Sequence, residues 1–227
     1  MKPTAVISGG TRGIGYAVAQ YLREDHDLVI LGRDPQRLTE AGQELGARTC
    51  AVDLADLDSI SPALAELGLE RVDVLLHSAG LLHTGPLAQT TNEQFTEAFA
   101  VNVSAIAAVT RELLPALEAG RGRVVMINSG SGRRGSATSP VYSATKFALT
   151  GLAECLRLDL GPRGVQVSTV APGRTDTDMQ RQLVASEEGT YTPEAYLSAE
   201  EVAAAVVHVI RQGGDVDYLS IRPPQQR

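Results

Sequence analysis

The stretch Thr4-Ala5-Val6-Ile7-Ser8-Gly9-Gly10-Thr11-Arg12-Gly13-Ile14-Gly15 decides the fold. A short β-branched run passes through glycines into a helical pattern. A glycine-rich turn between a first strand and its helix brings backbone N–H groups close to a pyrophosphate, with the positive helix end facing the charge. The spacing here is Gly-x3-Gly-x-Gly and not the Gly-x-Gly-x2-Gly of the standard dinucleotide fingerprint. A tight turn that needs only small residues would read the same. Its place directly after the first strand favours the phosphate reading.

From this turn outward, apolar runs alternate with helical patterns along the whole chain. Strands are expected at 4–8, 28–32, 48–52, 72–76, 123–128, 165–170 and 217–222. Helices are expected at 14–24, 35–45, 56–67, 92–118, 142–160 and 199–212. The strands are continuously apolar and rich in Val, Ile and Leu, as strands covered on both faces are. Such alternation implies right-handed crossovers onto a parallel sheet. The expected architecture is α/β, a three-layer Rossmann-like doubly wound parallel sheet of about seven strands with helices on both faces. No repeat, linker or composition shift divides the chain, so 1–227 reads as one domain. Asp34-Pro35 has the form of an N-cap followed by proline at the first helical position, and Ser198-Ala199-Glu200-Glu201 that of a capping box. The tail 223–227 is expected to fray.

The net charge of -7 and pI near 5.1 argue against a nucleic-acid surface. No apolar run is long enough to span a bilayer. A strand begins almost at once, which leaves no room for a signal peptide. Cys50 and Cys155 have no metal or redox spacing and read as small core residues of a protein in the reducing cytoplasm. No metal site is expected.

The second strand ends in Gly32-Arg33, eighteen residues after Gly15. An acid at this place binds ribose hydroxyls, whereas an arginine accommodates a 2′-phosphate. Arg12 offers a second guanidinium from within the glycine turn, and two such groups match a phosphate dianion. Asp34 could hold a ribose instead, but its place before Pro35 gives it a capping task. NADP(H) is therefore preferred over NAD(H). Asp53, after the third strand, reads equally as an adenine partner or as a turn acid.

Tyr142-Ser143-Ala144-Thr145-Lys146 puts Tyr142 and Lys146 on one helical face. The chain has 20 lysines and arginines, yet only Lys2 and Lys146 are lysines. Arginine serves wherever a charge alone is wanted, so Lys146 suggests a compact ammonium that tunes a neighbour. A charge about 5 Å away at an effective dielectric of about 20 is worth roughly 3 kcal/mol, or about two pKa units. That would bring a tyrosine to near 8, where it can donate and accept a proton. Asn128-Ser129 closes the fifth strand, whose C-terminal end faces the ligand crevice. A hydroxyl there can hold the substrate oxygen. Asn102 is a poor helix former among apolar residues and reads as either a partnered site residue or a satisfied buried amide.

Taken together, these motifs resemble the short-chain dehydrogenase/reductase superfamily in its single-domain form. The likeness runs through Gly9/Gly13/Gly15, Asp53, Ala79-Gly80, Asn102, Ser129, Tyr142-x3-Lys146 and Pro172-Gly173 with Thr177 and Met179. It implies a catalytic tetrad of Asn102, Ser129, Tyr142 and Lys146, with Lys146 also bonding the nicotinamide ribose and Asn102 holding a water of the proton relay. It implies a cofactor site of Gly9, Thr11, Arg12, Gly13, Ile14, Gly15, Arg33, Asp53, Leu54, Ala79, Gly80, Tyr142 and Lys146. The segment with Pro172, Gly173, Thr175 and Thr177 is implied to fold over the nicotinamide. His77-Ser78-Ala79-Gly80 stands where such proteins usually carry Asn-Asn-Ala-Gly, and His77 reads as a strand-end residue bonding backbone. Asn128 replaces a common serine, harmlessly on this reading.

Residues 81–88, 130–141 and 180–196 are the expected substrate walls. The last is short, with Leu183, Val184, Tyr191 and Tyr196 as its larger apolar members, which suggests a compact or open pocket. Arg133-Arg134 reads as solvated loop charge in preference to an anion site. The helix over 142–160 is apolar on several sides, and the resemblance implies that it pairs in a homodimer or homotetramer. The leading reading is an NADP(H)-dependent oxidoreductase acting on a small carbonyl or alcohol. The alternatives are an epimerase or dehydratase using the same Tyr–Lys chemistry, and a dinucleotide-binding sensor or scaffold without turnover.

Overall fold

Residues 2–224 are described by a computed structural model, in which strands and helices alternate along the chain. The strands are β1 (Thr4–Ser8), β2 (Asp27–Gly32), β3 (Arg48–Ala51), β4 (Val74–His77), β5 (Arg123–Ile127), β6 (Gln166–Pro172) and β7 (Tyr218–Ile221). The helices are α1 (Gly13–Leu22), α2 (Pro35–Leu45), α3 (Ile60–Ala65), α4 (Asn92–Phe99), α5 (Ala105–Glu112), α6 (Leu114–Gly120), α7 (Pro140–Leu160), α8 (Asp178–Ser186) and α9 (Ala199–Arg211). All described strand pairs are parallel, in the order β3-β2-β1-β4-β5-β6-β7. β1 is bonded to both β2 and β4, so the chain reverses its direction of travel across the sheet there. A crevice opens above the carboxyl ends of the strands at such a switch point.

Two apolar layers sandwich the sheet. Val6, Leu75, Val124 and Met126 pack with Ile60 of α3, Val109 of α5, Leu117 of α6 and Leu149 of α7. Ala5, Ile7, Leu76 and Val125 point the other way, toward Val18 of α1, Leu38 of α2 and Val206 of α9. The alternation along each strand is the two-residue period of the pleat, with both faces covered. The Asp34 carboxylate accepts from the N–H groups of Gln36 and Arg37 ahead of Pro35, and the Ser198/Glu201 capping box is present, as expected.

Several expectations are corrected. The helix over 92–118 is broken twice. A π turn at Ala100–Ser104 bonds Ala105 N–H to Ala100 O, and α5 stops at Leu113 because Pro115 cannot continue the ladder. The helix over 56–67 is a 3₁₀ turn followed by the short α3. α8 has no counterpart in the sequence reading. Cys155 is exposed on α7, not in the core, while Cys50 is buried. Pro223 is buried, so the tail does not fray from there, and 225–227 lie outside the described residues. Among the described residues no single helix is long and apolar enough to cross a membrane. The pair Asn92–Glu112 and Leu114–Gly120 passes by length and composition together but is bent by 62°.

One buried cation fastens the far end of the sheet. Arg123, at the start of β5, donates to the carbonyls of Val209 (2.6 Å), Gln212 (3.0 Å) and Gly214 (2.9 Å), and to the Gln166 side chain. The carbonyls of Val209 and Gln212 close α9 and that of Gly214 follows it, where a cation opposes the helix dipole.

Candidate active site

The glycine turn is built by contact as well as by backbone freedom. Gly9 has φ +69°, and a Cβ there would lie 2.6 Å from the Ala79 nitrogen. A Cβ on Gly15 would run into the Gly9 carbonyl. The turn-packing reading of these glycines therefore holds, and it leaves the phosphate reading intact. Arg12 stands at the N-cap of α1 without a side-chain cap bond, and the first turn carries no acid. The helix start is thus left with its N–H groups uncapped and its positive end uncompensated, which suits an anion.

Around this turn the structure gathers most of the expected cofactor residues. The Thr11 methyl lies 3.4 Å from where a Cβ on Gly32 would stand, so the turn and the end of β2 share a wall. Arg33 follows that wall, exposed and without an ion pair among the described residues. Gly80 faces Asn102 Oδ1 and the Met179 methyl at 3.6 and 3.9 Å from its would-be Cβ, and Thr177 lies similarly over Gly13 at 3.5 Å. Pro172 ends β6, Gly173 N–H bonds the Ile221 carbonyl, and Thr175 Oγ1 donates back to Gly173 O. Thr177 caps α8 by accepting from Gln180 N–H. Ile14, inside the turn, and Leu54 each lean a side chain on one of the two apolar layers, and Asp53 accepts from Ala55 N–H at 3.0 Å, as a turn acid does.

The other four expected residues meet where β5, α7 and the π turn converge. Ser129 caps the 3₁₀ turn Gly130–Gly132, and its hydroxyl acts on the Tyr142 phenol to lower its pKa. Lys146 Nζ donates to Ile127 O at 2.9 Å and sits 5.6 Å from the Tyr142 ring centroid. Asn102 is fully buried and its amide is committed. Oδ1 accepts from Leu81 N–H (2.8 Å), and Nδ2 donates to Leu81 O (2.9 Å) and Thr145 Oγ1 (3.0 Å). The side chain thus fixes the strand-end loop onto α7, so a relay water bound to Asn102 would use its backbone carbonyl.

The electrostatics differ from the expectation. Burial pushes the Tyr142 phenol up to about 12, with the Ser129 hydrogen bond opposing it. Burial likewise pulls Lys146 down to about 8. Desolvation disfavours both charged forms and outweighs the Coulomb attraction that would have brought the phenol near 8. Both groups hold their protons at neutral pH.

Two positioning residues escaped the sequence reading. Asn128 is not a harmless replacement for serine. Its Oδ1 accepts from Ser129 N–H at 2.9 Å while Nδ2 donates to Thr150 Oγ1 (3.0 Å) and Lys146 O (3.4 Å). A serine hydroxyl could accept from Ser129, but with one proton it could not also donate to both Thr150 and Lys146 O. Thr145 donates to Tyr142 O and accepts from Asn102. The substrate walls are also more self-contained than expected. The Tyr191 and Tyr196 rings meet tilted, with centroids 5.2 Å apart, Arg181 lies 4.5 Å over Tyr191, and Asp176 accepts from both Arg181 and the Tyr191 hydroxyl. Arg133 stacks on Tyr218 at 3.7 Å and is not a free loop charge.

His77 bonds a side chain, not backbone. The Thr110 hydroxyl gives its proton to Ile106 O (2.7 Å), so at 2.9 Å it accepts from His77 Nε2–H, which fixes the tautomer. Burial drives this imidazole down to about 3, and it is neutral. Below its ordinary value of about 6.5 the unfolded chain binds a proton that the folded chain refuses. Stability on this account is full above about pH 6.5 and is lost as pH falls toward 3, by on the order of 3 kcal/mol from pH 7 to 4. Urea midpoints across that range should fall less steeply in His77→Asn. Equal slopes would contradict this role.

The family model for short chain dehydrogenases matches residues 3–188. Sorbitol dehydrogenase of Cereibacter sphaeroides is 35% identical over 181 residues, 76% of this chain and 70% of that protein. An alcohol dehydrogenase from the archaeon Thermococcus sibiricus, complexed with 5-hydroxy-NADP, superposes with a TM-score of 0.87 at 25% identity, covering 100% and 99% of the two chains. A short chain dehydrogenase from Burkholderia cenocepacia in complex with NADP gives 0.85 at 29% identity, covering 97% and 96%.

Proposed function

The chain belongs to the short-chain dehydrogenase family of oxidoreductases, and from that premise we propose that it reduces a small carbonyl with NADPH, using Tyr142 as the acid. The observation that carries this reading is the meeting of Ser129, Tyr142 and Lys146 beside the glycine turn, at the carboxyl ends of β1, β4 and β5. The uncapped, acid-free start of α1 and the close-packed glycines fit a pyrophosphate, and the NADP-bound relatives support the same choice. A bound NADPH supplies the hydride. Ser129 holds the substrate oxygen against the Tyr142 hydroxyl. Burial keeps the Tyr142 phenol protonated at neutral pH, the form that can protonate an alkoxide. Lys146, still charged below about pH 8, stabilises the phenolate left behind.

Arg12 and Arg33 are the proposed 2′-phosphate ligands. Removing a charge-assisted bond costs about 1.5–3 kcal/mol. Arg33→Ala is therefore expected to weaken NADP+ binding about tenfold or more while leaving NAD+ within about twofold. Titration of both cofactors checks it, and tighter binding of NAD+ than NADP+ by the native chain would overturn the assignment. We read 1–227 as one domain of a cytoplasmic homo-oligomer. In support, Cys50 and Cys155 are free thiols and Phe147 and Leu158 project from α7 at 48% and 75% exposure. The meeting of Asn102, Ser129, Tyr142 and Lys146 favours turnover over a sensor, which would need only the glycine turn.

A further inference from the structure

Arg12 has a second claimant. Its guanidinium lies 2.7 Å from Asp178 Oδ2, in the first turn of α8, 166 positions along the chain. The two can meet because the start of α8 is seated on the glycine turn, with Thr177 against Gly13. Arg33 stands on the opposite flank. It follows β2, on one side of β1, whereas Asp178 follows β6, which lies beyond β4 and β5 on the other. A 2′-phosphate held by Arg33 and Arg12 together would draw Arg12 away from Asp178, and one guanidinium fork would not fully serve both.

We infer that Asp178 is a specificity-determining residue that competes with the cofactor 2′-phosphate for Arg12 and so lowers the preference for NADP(H) over NAD(H). NAD(H) lacks that phosphate and leaves the Arg12–Asp178 pair in place. The inference rests on the proposed NADP(H) reading. Both side chains are more than half exposed, at 58% and 59%. The competition is accordingly modest, a factor of about two to five in the dissociation constant.

Dissociation constants for NADP+ and NAD+ in four variants test it: Arg33→Ala, Asp178→Asn, Arg12→Ala and the Arg12→Ala/Asp178→Asn double variant. The expected result is that Asp178→Asn tightens NADP+ by about two- to fivefold with NAD+ unchanged, and that this gain vanishes in the Arg12→Ala background. If the gain appears equally with NAD+, or survives without Arg12, Asp178 acts through its general field and the inference is overturned. If Arg12→Ala leaves NADP+ binding intact while Arg33→Ala weakens it, Arg12 stays with Asp178 and the inference again fails, with the NADP(H) reading standing. If Arg33→Ala and Arg12→Ala both leave the NADP+/NAD+ ratio unchanged, the NADP(H) reading falls and takes the inference with it.

Discussion

Replacing Tyr142 with Phe is expected to lower carbonyl reduction by about 10²–10⁴-fold, the range for loss of a positioned proton donor. NADPH binding should stay within about twofold, because the hydroxyl faces Ser129 and the ring and helix remain. The loss should fall on kcat, since a donor used only as the alkoxide forms contributes little to ground-state binding. Stopped-flow measurement of NADPH oxidation, alongside fluorescence titration of the cofactor, separates the two effects. Unchanged turnover in Tyr142→Phe would remove the tyrosine from the chemistry.

The second large effect is on stability. Arg123→Leu should destabilise the protein by about 3 kcal/mol, because it removes a buried guanidinium that ties β5 to the carbonyls of Val209, Gln212 and Gly214. For a chain of this size that corresponds to a melting-point drop of roughly 6–12 °C. Arg123→Lys should recover only part, since an ammonium cannot fork to carbonyls and the Gln166 side chain together. Asp215 attracts the guanidinium from a distance, while burial pulls its pKa down. The hydrogen bonds are therefore what the substitution removes. Calorimetry decides this, and a drop under about 2 °C would contradict the capping role.

The contrast between these two residues shows what could be read in the sequence. Tyr142 and Lys146 share one helix, so their relation depends on helical period alone. The glycine turn likewise declares itself within a dozen residues, and the strand-helix alternation follows from local apolar runs. Arg123 bonds groups 86 to 91 positions away, and in sequence it is only the first residue of an apolar strand. Asn128 looked like a conservative departure because its second partner, Thr150, lies on the neighbouring helix. Of the two breaks in the helix over 92–118, Pro115 marks one in the sequence, whereas the π turn needs no proline or glycine; a buried Asn102 held by Leu81 and Thr145 fixes it in place. The pKa expectation failed for a different reason. The attraction of Lys146 for a phenolate follows from helical spacing, whereas desolvation follows from burial, which only the packed structure supplies.

The most direct test of the central reading follows the hydride itself. The native chain and Tyr142→Phe are each incubated with NADPH carrying deuterium at the reactive carbon and a panel of aldehydes and ketones, and the products are examined by mass spectrometry. The account predicts deuterium on the alcohol carbon of at least one product with the native chain and a loss of about 10²-fold or more in the variant. Tight NADPH binding with no labelled alcohol from any carbonyl, or equal labelling by both chains, would contradict it.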